Sequence, residues 1–259
     1  MTFTFQKHWL PQLDHIARRA GEAIMQIYRG DIHVQRKADE SPVTQADVLA
    51  EEIILEGLAA LAPEIPVVAE EAVAAGRVPD VSKARSFWLV DPLDGTREFV
   101  NRNGEFTVNI AFIEDGEPVA GVVFAPAIGR AFCGWVGEGA SVHDAAGERS
   151  IRCRPAPPRG LTVLASRSHG DKAALAAFLA DLPVHTTMEA GSSLKLCLLA
   201  EGRADLYPRF GRTMEWDIAA GQAVLAAAGG SVRTMSGAAL RYGKPGFENP
   251  DFVARGLPG

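Results

Sequence analysis

Two apolar stretches separated by a short acidic turn constrain the fold of this chain more than any other feature. Residues 106–113 and 119–124 are rich in β-branched and aromatic side chains, and Glu114-Asp115-Gly116-Glu117 lies between them. A turn of this kind between two apolar runs indicates a β-hairpin, whose strands are antiparallel. Residues 131–136 could add another antiparallel strand. We therefore expect an antiparallel-rich sheet in the first half of the chain.

Two helices and two short strands are predicted before this hairpin. Between residues 10 and 28, apolar side chains recur with the spacing of an amphipathic helix, and Gly30 closes it. A second helix is predicted over residues 46–61, with Thr44 and Asp47 as a capping pair at its start. Buried strands are predicted at the compact apolar runs 66–69 and 87–90.

After the proline-rich residues 154–159, the pattern changes to alternating strands and helices. Strands are predicted at 161–165, 184–188, 204–207 and, as the final strand, 231–234; helices are predicted at 172–182, 194–202 and 217–228. This alternation favours a layered α/β (α+β) enzyme of two lobes. We expect an N-terminal α+β lobe over residues 1–157 and a smaller C-terminal α/β lobe over residues 158–259.

Composition and charge exclude several classes of protein. Of the 259 residues, 47% are hydrophobic and 22% charged, which is ordinary for a globular protein and not for a disordered one. The net charge of -6 and the absence of a Lys/Arg run argue against a nucleic-acid duplex as a partner. The longest near-apolar stretch, residues 119–129, is too short to span a bilayer. Three cysteines without a CxxC pair disfavour a disulfide scaffold and a zinc-thiolate site. From the short apolar stretch we expect no integral membrane segment, and from the cysteines we expect a cytoplasmic protein.

The segment Asp91-Pro92-Leu93-Asp94-Gly95-Thr96 has the most informative chemistry. Its two carboxylates follow the strand predicted at 87–90. Hard cations such as Mg²⁺ prefer these oxygen donors, usually together with phosphate oxygens of a substrate. Pro92 can turn the Leu93 carbonyl outward as a further ligand, and Gly95 has no Cβ, so its N–H can approach a phosphate closely. Taken alone, the segment could also be only a turn.

Further acidic residues occupy similar positions elsewhere in the chain. Glu70 and Glu71 follow the strand predicted at 66–69, and Asp217 stands at the start of the last predicted helix. Each has a simpler interpretation: Glu70 and Glu71 as a solvated pair, Asp217 as a helix N-cap, and Asp47 as a capping-box residue. Their joint occurrence in this order favours a shared metal site.

These segments together resemble the inositol monophosphatase superfamily of Mg²⁺-dependent, lithium-sensitive phosphatases. Residues 69–71, 91–96 and 216–221 carry the resemblance, and their order and spacing cover most of the chain. Similarity to the bacterial 3′(2′),5′-bisphosphate nucleotidase branch is carried by residues 41–47, 97–109, 166–169, 191–195 and 206–210. The resemblance implies a layered αβαβα fold. It also implies hydrolysis of the 3′-phosphate of 3′-phosphoadenosine 5′-phosphate (PAP), or of its sulfated relative (PAPS), to AMP or adenylyl sulfate, linked to sulfur assimilation.

The same resemblance implies a role for individual residues. Two or three Mg²⁺ ions would be held by Glu70, Asp91, the Leu93 carbonyl, Asp94 and Asp217. Water activation would involve the catalytic residues Asp47, Thr96 and Glu70. The substrate would be contacted by Glu70, Leu93, Asp94, Gly95, Thr96, His169, Ser192, Lys195, Arg209 and Asp217. The N-terminal lobe would thus carry most of the metal ligands, and the C-terminal lobe would carry Asp217 and the nucleotide-binding residues.

Recognition of the nucleotide depends on fewer residues. Lys195 and Arg209 are candidates for binding the second phosphate, and His169 could stack on adenine. Each has a structural alternative: a solvated helix face for Lys195, a covered strand end for Arg209 and a helix cap for His169. An inositol monophosphatase, histidinol phosphatase or sugar phosphatase has less use for these three residues. A non-catalytic nucleotide-binding module would not need the pair formed by Asp47 and Thr96. The resemblance leaves open a homodimer and a peripheral association with the inner membrane face.

Overall fold

The computed structural model describes residues 3–30, 34–36, 42–167 and 170–257. Its helices are α1 (Trp9–Arg29), α2 (Gln45–Leu61), α3 (Glu70–Ala74), α4 (Thr96–Val100), α5 (Lys172–Leu179), α6 (Leu194–Ala200) and α7 (Glu215–Ala227). Its strands are β1 (Val34–Arg36), β2 (Pro42–Thr44), β3 (Val67–Ala69), β4 (Ser86–Asp94), β5 (Thr107–Glu114), β6 (Glu117–Ala125), β7 (Arg130–Trp135), β8 (Gly139–Asp144), β9 (Gly147–Ile151), β10 (Leu161–Ser166), β11 (Val184–Ala190), β12 (Leu206–Arg209), β13 (Thr213–Met214), β14 (Ser231–Thr234), β15 (Glu248–Asn249) and β16 (Phe252–Arg255). Ser41, Ser168 and His169, which belong to the segments named above, lie outside the described residues.

Strands β3 to β9 form a seven-stranded sheet in the order of the chain. β3 and β4 are parallel, and each following pair is antiparallel. The predicted hairpin is confirmed: β5 and β6 are joined at Asp115 and Gly116, whose positive φ angles suit a tight hairpin turn. β8 and β9 form a further hairpin that the apolar pattern does not predict, because the side chains of this edge hairpin are mostly small, polar or exposed.

A second sheet has five strands in the order β11-β10-β12-β16-β14. β10 is parallel to both β11 and β12, so the connections through α5 and α6 are crossovers. The crossover through α5 leads from β10 to β11, and the crossover through α6 leads back past β10 to β12. Crossovers between parallel strands are right-handed, so these two opposite directions place α5 and α6 on opposite faces of the sheet. The prediction that 231–234 is the final strand is wrong, since β16 follows and pairs with both β12 and β14.

Helices and sheets stack in five layers. α1 and α2 pack on one face of the seven-stranded sheet, whereas α7, together with α6, packs on its other face and reaches the second sheet. α5 lies on the far side of the second sheet, where Phe178 contacts Phe210. A buried apolar cluster lies on each face of the seven-stranded sheet. The predicted αβαβα architecture is confirmed, and the lobe boundary at residues 157/158 stays a prediction.

A helix that spans a membrane needs about 20 mostly apolar residues. No helix in the described ranges is both long and apolar enough for this.

Candidate active site

Strand β4 carries the acidic segment and extends further than predicted. The apolar pattern ends this strand at residue 90, but pairing with β5 continues at Asp91 and resumes at Asp94 after a shift in register. Asp91 is buried, and its Oδ1 accepts the Leu93 N–H at 3.0 Å. Both carboxylates therefore stand on a paired strand rather than in a loop.

Gly95 turns the chain from β4 into α4. Its φ of 88° lies in the left-handed region, which glycine adopts without strain. A Cβ at this position would lie 3.2 Å from the Glu105 carbonyl oxygen. α4 begins at Thr96, directly after this turn. The turn places Gly95 and Thr96 in the wall of the cavity that contains the carboxylates.

Asp47 connects the start of α2 to Thr96. Its Oδ2 accepts hydrogen bonds from the Thr44 N–H and hydroxyl, both at 2.8 Å, and the predicted capping pair is confirmed. Its Oδ1 accepts the Thr96 hydroxyl at 3.3 Å, and that hydroxyl lies 3.4 Å from the Leu93 carbonyl oxygen. The same buried carboxylate thus caps a helix and contacts Thr96, so the two interpretations of Asp47 are compatible.

One cavity of about 570 Å³ is lined by Glu98 and by four acidic side chains that were predicted as metal ligands and come from distant parts of the chain. The four are Glu70 at the first position of α3, Asp91 and Asp94 on β4, and Asp217 on α7. The predicted start of α7 is wrong: the helix begins at Glu215, so Asp217 is its third residue and not its N-cap. Asp217 instead accepts the Met214 N–H at 2.9 Å with its side chain.

Burial and nearby negative charges disfavour the ionised form of the three aspartates in this group. Burial raises the pKa of Asp91 and of Asp217 well above its ordinary value, and the charges of Glu70 and Asp94 raise both further. Burial also raises the pKa of Asp94 to about 6, although Lys195 opposes this shift. Buried like charges of this kind need a cation among them to be stable as anions.

The donor set fits Mg²⁺. Carboxylate and carbonyl oxygens are its preferred protein ligands, and it usually binds one or two carboxylates and completes its shell with water and substrate phosphate. Within the part of the chain that the structure describes, no three His, Cys, Asp or Glu side chains are grouped closely enough to hold a metal ion by themselves. An open magnesium site, completed by water and phosphate, is compatible with this arrangement, whereas a closed site made only of side chains is not.

Lys195 and Arg209 add positive charge to the same cavity. Lys195 is buried, and its Nζ donates to the Ser192 carbonyl at 2.6 Å and to the Ala190 carbonyl at 3.2 Å. Burial lowers the pKa of Lys195 to about 8. Arg209 is also buried and donates from Nη2 to the Arg212 carbonyl at 3.1 Å. Lys195 is therefore not on a solvated helix face.

The structure brings nearly all of the predicted site residues to this cavity. Those in its wall are Glu70, Asp91, Leu93, Asp94, Gly95, Thr96, Ser192, Lys195, Arg209 and Asp217. Asp47 contacts the cavity residue Thr96, and His169 lies outside the described residues. The roles of these residues stay predictions.

Three supporting residues were missed by the sequence reasoning. Ser193 donates its N–H to Asp94 Oδ2 at 2.6 Å. Its position within residues 191–195, which carry part of the family resemblance, is the only feature of the sequence that could have indicated this role. Glu215 is fully buried at the start of α7 and pairs with Lys244 at 2.6 Å. The third is Glu51. Burial raises its pKa, and hydrogen bonds from the N–H groups in the first turn of α3 oppose this rise. The partners of Glu215 and Glu51 are distant in the chain, so no local motif reveals them.

Comparison with known proteins gives the family of the chain. A sequence model described as the inositol monophosphatase family matches residues 6–255. The 3′(2′),5′-bisphosphate nucleotidase CysQ of Salmonella typhimurium is 49% identical over 247 residues, which cover 94% of this chain and 98% of that protein. CysQ of Escherichia coli K12 is 48% identical over the same shares of the two chains.

Solved structures agree with the sequence relatives. CysQ from Bacteroides thetaiotaomicron, a bacterial member of the inositol monophosphatase family, has a TM-score of 0.83 and 34% identity, covering 97% of this chain and 98% of that one. The extragenic suppressor protein SuhB from Bartonella henselae has a TM-score of 0.79 and 25% identity, covering 96% and 94%. The fold, the acidic cavity and these relatives together show that the chain belongs to the inositol monophosphatase family.

Proposed function

We propose that this chain is a Mg²⁺-dependent 3′(2′),5′-bisphosphate nucleotidase that releases the 3′-phosphate of PAP and leaves AMP. The cavity carries the proposal, because the four carboxylates proposed as metal ligands and two buried cationic side chains line it together. A nucleoside bisphosphate needs both parts: a metal-assisted site for the phosphate that leaves and a cationic site for the phosphate that stays. The relatives named CysQ, at up to 49% identity, support the same substrate class.

Asp47 and Thr96 supply the proton acceptor for the attacking water. The Thr96 hydroxyl donates to Asp47, so an oxygen lone pair of Thr96 can accept a hydrogen bond from water. As the water oxygen bonds to phosphorus, its proton passes to Thr96, the Thr96 proton passes to Asp47, and the bond from phosphorus to the 3′-oxygen breaks. Solvent then protonates that 3′-oxygen. Glu70, Asp91, Asp94 and Asp217 would hold Mg²⁺, which would supply a lowered pKa for the attacking water and neutralisation of charge on the phosphoryl and leaving oxygens.

Lys195 and Arg209 would bind the second phosphate. Lys195 donates to two main-chain carbonyls, and Arg209 donates to the Arg212 carbonyl. Both side chains are therefore already ordered, and binding a phosphate costs them little further conformational entropy. An anion beside Lys195 also favours its charged form, which burial opposes. Ser192 lies in the same wall, and its carbonyl is one of the two that hold Lys195.

Phosphate release from four substrates tests the proposal: PAP, PAPS, inositol 1-phosphate and histidinol phosphate, each with Mg²⁺ and with or without lithium. A lithium-sensitive preference for PAP or PAPS is expected. A preference for either monophosphate would contradict the nucleotidase assignment and retain the metal site. Release from none of the four would favour a nucleotide-binding module.

Lys195→Met tests the cationic part of the cavity separately. Loss of charge-assisted hydrogen bonds costs about 1.5–3 kcal/mol, so kcat/KM for PAP should fall about 10- to 150-fold further than kcat/KM for inositol 1-phosphate, which reports any effect of the lost charge on Asp94. Lys172→Met is the matched control, since Lys172 is an exposed lysine at the start of α5. Equal losses with both substrates would contradict a role in binding the second phosphate.

The remaining expectations come from the resemblance and the family. We expect two or three Mg²⁺ ions and a cytoplasmic location, and we leave open a homodimer and a peripheral membrane association. Calorimetric titration with Mg²⁺ measures the first, and analytical ultracentrifugation measures the oligomeric state.

A further inference from the structure

Helix α2 carries a second buried carboxylate one turn after Asp47. Glu51 is 3% exposed, although it is a glutamate in a helix whose next residue, Glu52, is exposed. Residues four apart lie on the same face of a helix, so Asp47 and Glu51 point the same way from α2. Asp47 contacts Thr96, and Glu51 Oε2 accepts the Glu71 N–H at 2.7 Å.

The short helix α3 depends on this contact. The first N–H groups of a helix have no partner within it and are usually satisfied by a capping side chain. The N-cap of α3 is Ala69, which makes no side-chain cap, and α3 has only five residues. Glu51 fills that role from another helix, and a carboxylate also interacts favourably with the positive end of the helix dipole.

Glu70 is the first residue of α3 and lies next to the hydrogen-bonded Glu71. In the cavity wall, as far as the described residues define it, Glu70 is present and Glu51 is not. We infer that Glu51 is a positioning residue, which holds the main chain of α3 so that the Glu70 carboxylate faces Asp91 and Asp94 in the metal site. This inference rests on the proposed function, because that function makes Glu70 a metal ligand.

The hydrogen-bond geometry and the negative charge of Glu51 can be separated by two conservative variants. Glu51→Gln loses the charge but keeps an acceptor oxygen at the same reach. Glu51→Asp keeps the charge but withdraws the acceptor by one methylene group. A positioning role predicts that Gln preserves the site better than Asp, whereas a role of charge alone predicts the reverse order.

Binding of Mn²⁺ to the nucleotide-free protein, followed by electron paramagnetic resonance, provides the first readout, since Mn²⁺ takes the same oxygen ligands as Mg²⁺. Loss of an outer partner of a metal ligand typically costs about 10- to 100-fold in affinity. We expect a loss of this size in Glu51→Asp, a several-fold smaller loss in Glu51→Gln, and none in the control Glu52→Gln. The Mg²⁺ concentration for half-maximal turnover should rise in the same order, with KM for PAP at saturating Mg²⁺ unchanged.

Two results would overturn the inference: wild-type Mn²⁺ affinity in Glu51→Asp, whether or not that variant is thermally destabilised, or a greater loss of affinity in Glu51→Gln than in Glu51→Asp. Circular dichroism of each variant checks that it is folded. The proposed function fails separately, when the wild-type protein binds Mn²⁺ and releases no phosphate from PAP. In that case the order of the variants in Mn²⁺ binding still decides the role of Glu51.

Discussion

The close packing of α7 on the seven-stranded sheet predicts a large effect from one added methyl group. A Cβ at Gly121 of β6 would lie 2.6 Å from the Ala220 carbonyl oxygen of α7 and 2.8 Å from the Ala220 Cα. Ordinary contact begins at 3.4 Å, so Gly121→Ala requires α7 and β6 to separate by about 0.8 Å. Both contacted atoms belong to the main chain, so no change of rotamer can relieve the clash.

The expected magnitude follows from this displacement. Overpacking in a core costs about 1–3 kcal/mol, which lowers Tm by about 2–12 °C in a chain of this size. The same displacement moves Asp217, because it is the third residue of α7. A misplacement of about 1 Å in an active site can cost on the order of 100-fold in rate. We therefore expect Gly121→Ala to reduce Mg²⁺-dependent phosphate release from PAP by about 10- to 100-fold.

Thermal denaturation and phosphate release at saturating PAP and Mg²⁺ measure the two effects. Gly256→Ala is the control, because the nearest atom to a Cβ there is 3.6 Å away, and it should match the wild-type protein in both assays. A wild-type Tm for Gly121→Ala would refute the packing argument. A lowered Tm with wild-type turnover would refute the link between the position of α7 and the metal site.

Three other changes test separate parts of the structure. Asp94→Asn should abolish Mg²⁺-dependent turnover and leave the circular dichroism spectrum unchanged; turnover near the wild-type level would contradict the ligand assignment. Lys244→Met leaves the fully buried Glu215 without its cation, so urea unfolding should show a loss of about 3 kcal/mol, part of which Glu215→Gln in the same chain restores. Burial raises the pKa of Asp205, but hydrogen bonds, chiefly from Arg154, outweigh it and hold that pKa below its ordinary value. The stability from this pairing is therefore complete above about pH 4 and is lost as the pH falls further, and Asp205→Asn should flatten that loss in urea titrations.

Features that depend on neighbouring residues were predictable from the sequence. α1 and α2 match their predicted spans closely, since apolar periodicity and the capping pair of Thr44 and Asp47 act within a few residues. The tight turn at Asp115 and Gly116 likewise needs only local backbone preferences. β8 and β9 were not predictable in this way, because an exposed edge hairpin buries little and therefore needs no apolar pattern.

The sequence by itself determined which oxygen donors and cations are available and in what order they follow along the chain. Only the tertiary structure decided how they are held. β4 continues through Asp91 and Asp94 because β5 pairs with it, and Glu215 can lie buried at the start of α7 because Lys244, 29 positions later, neutralises its carboxylate. Glu51 caps α3 across 20 positions. A buried charge is costly until a partner reaches it, and for these residues the partner comes from a distant part of the chain that only folding brings near.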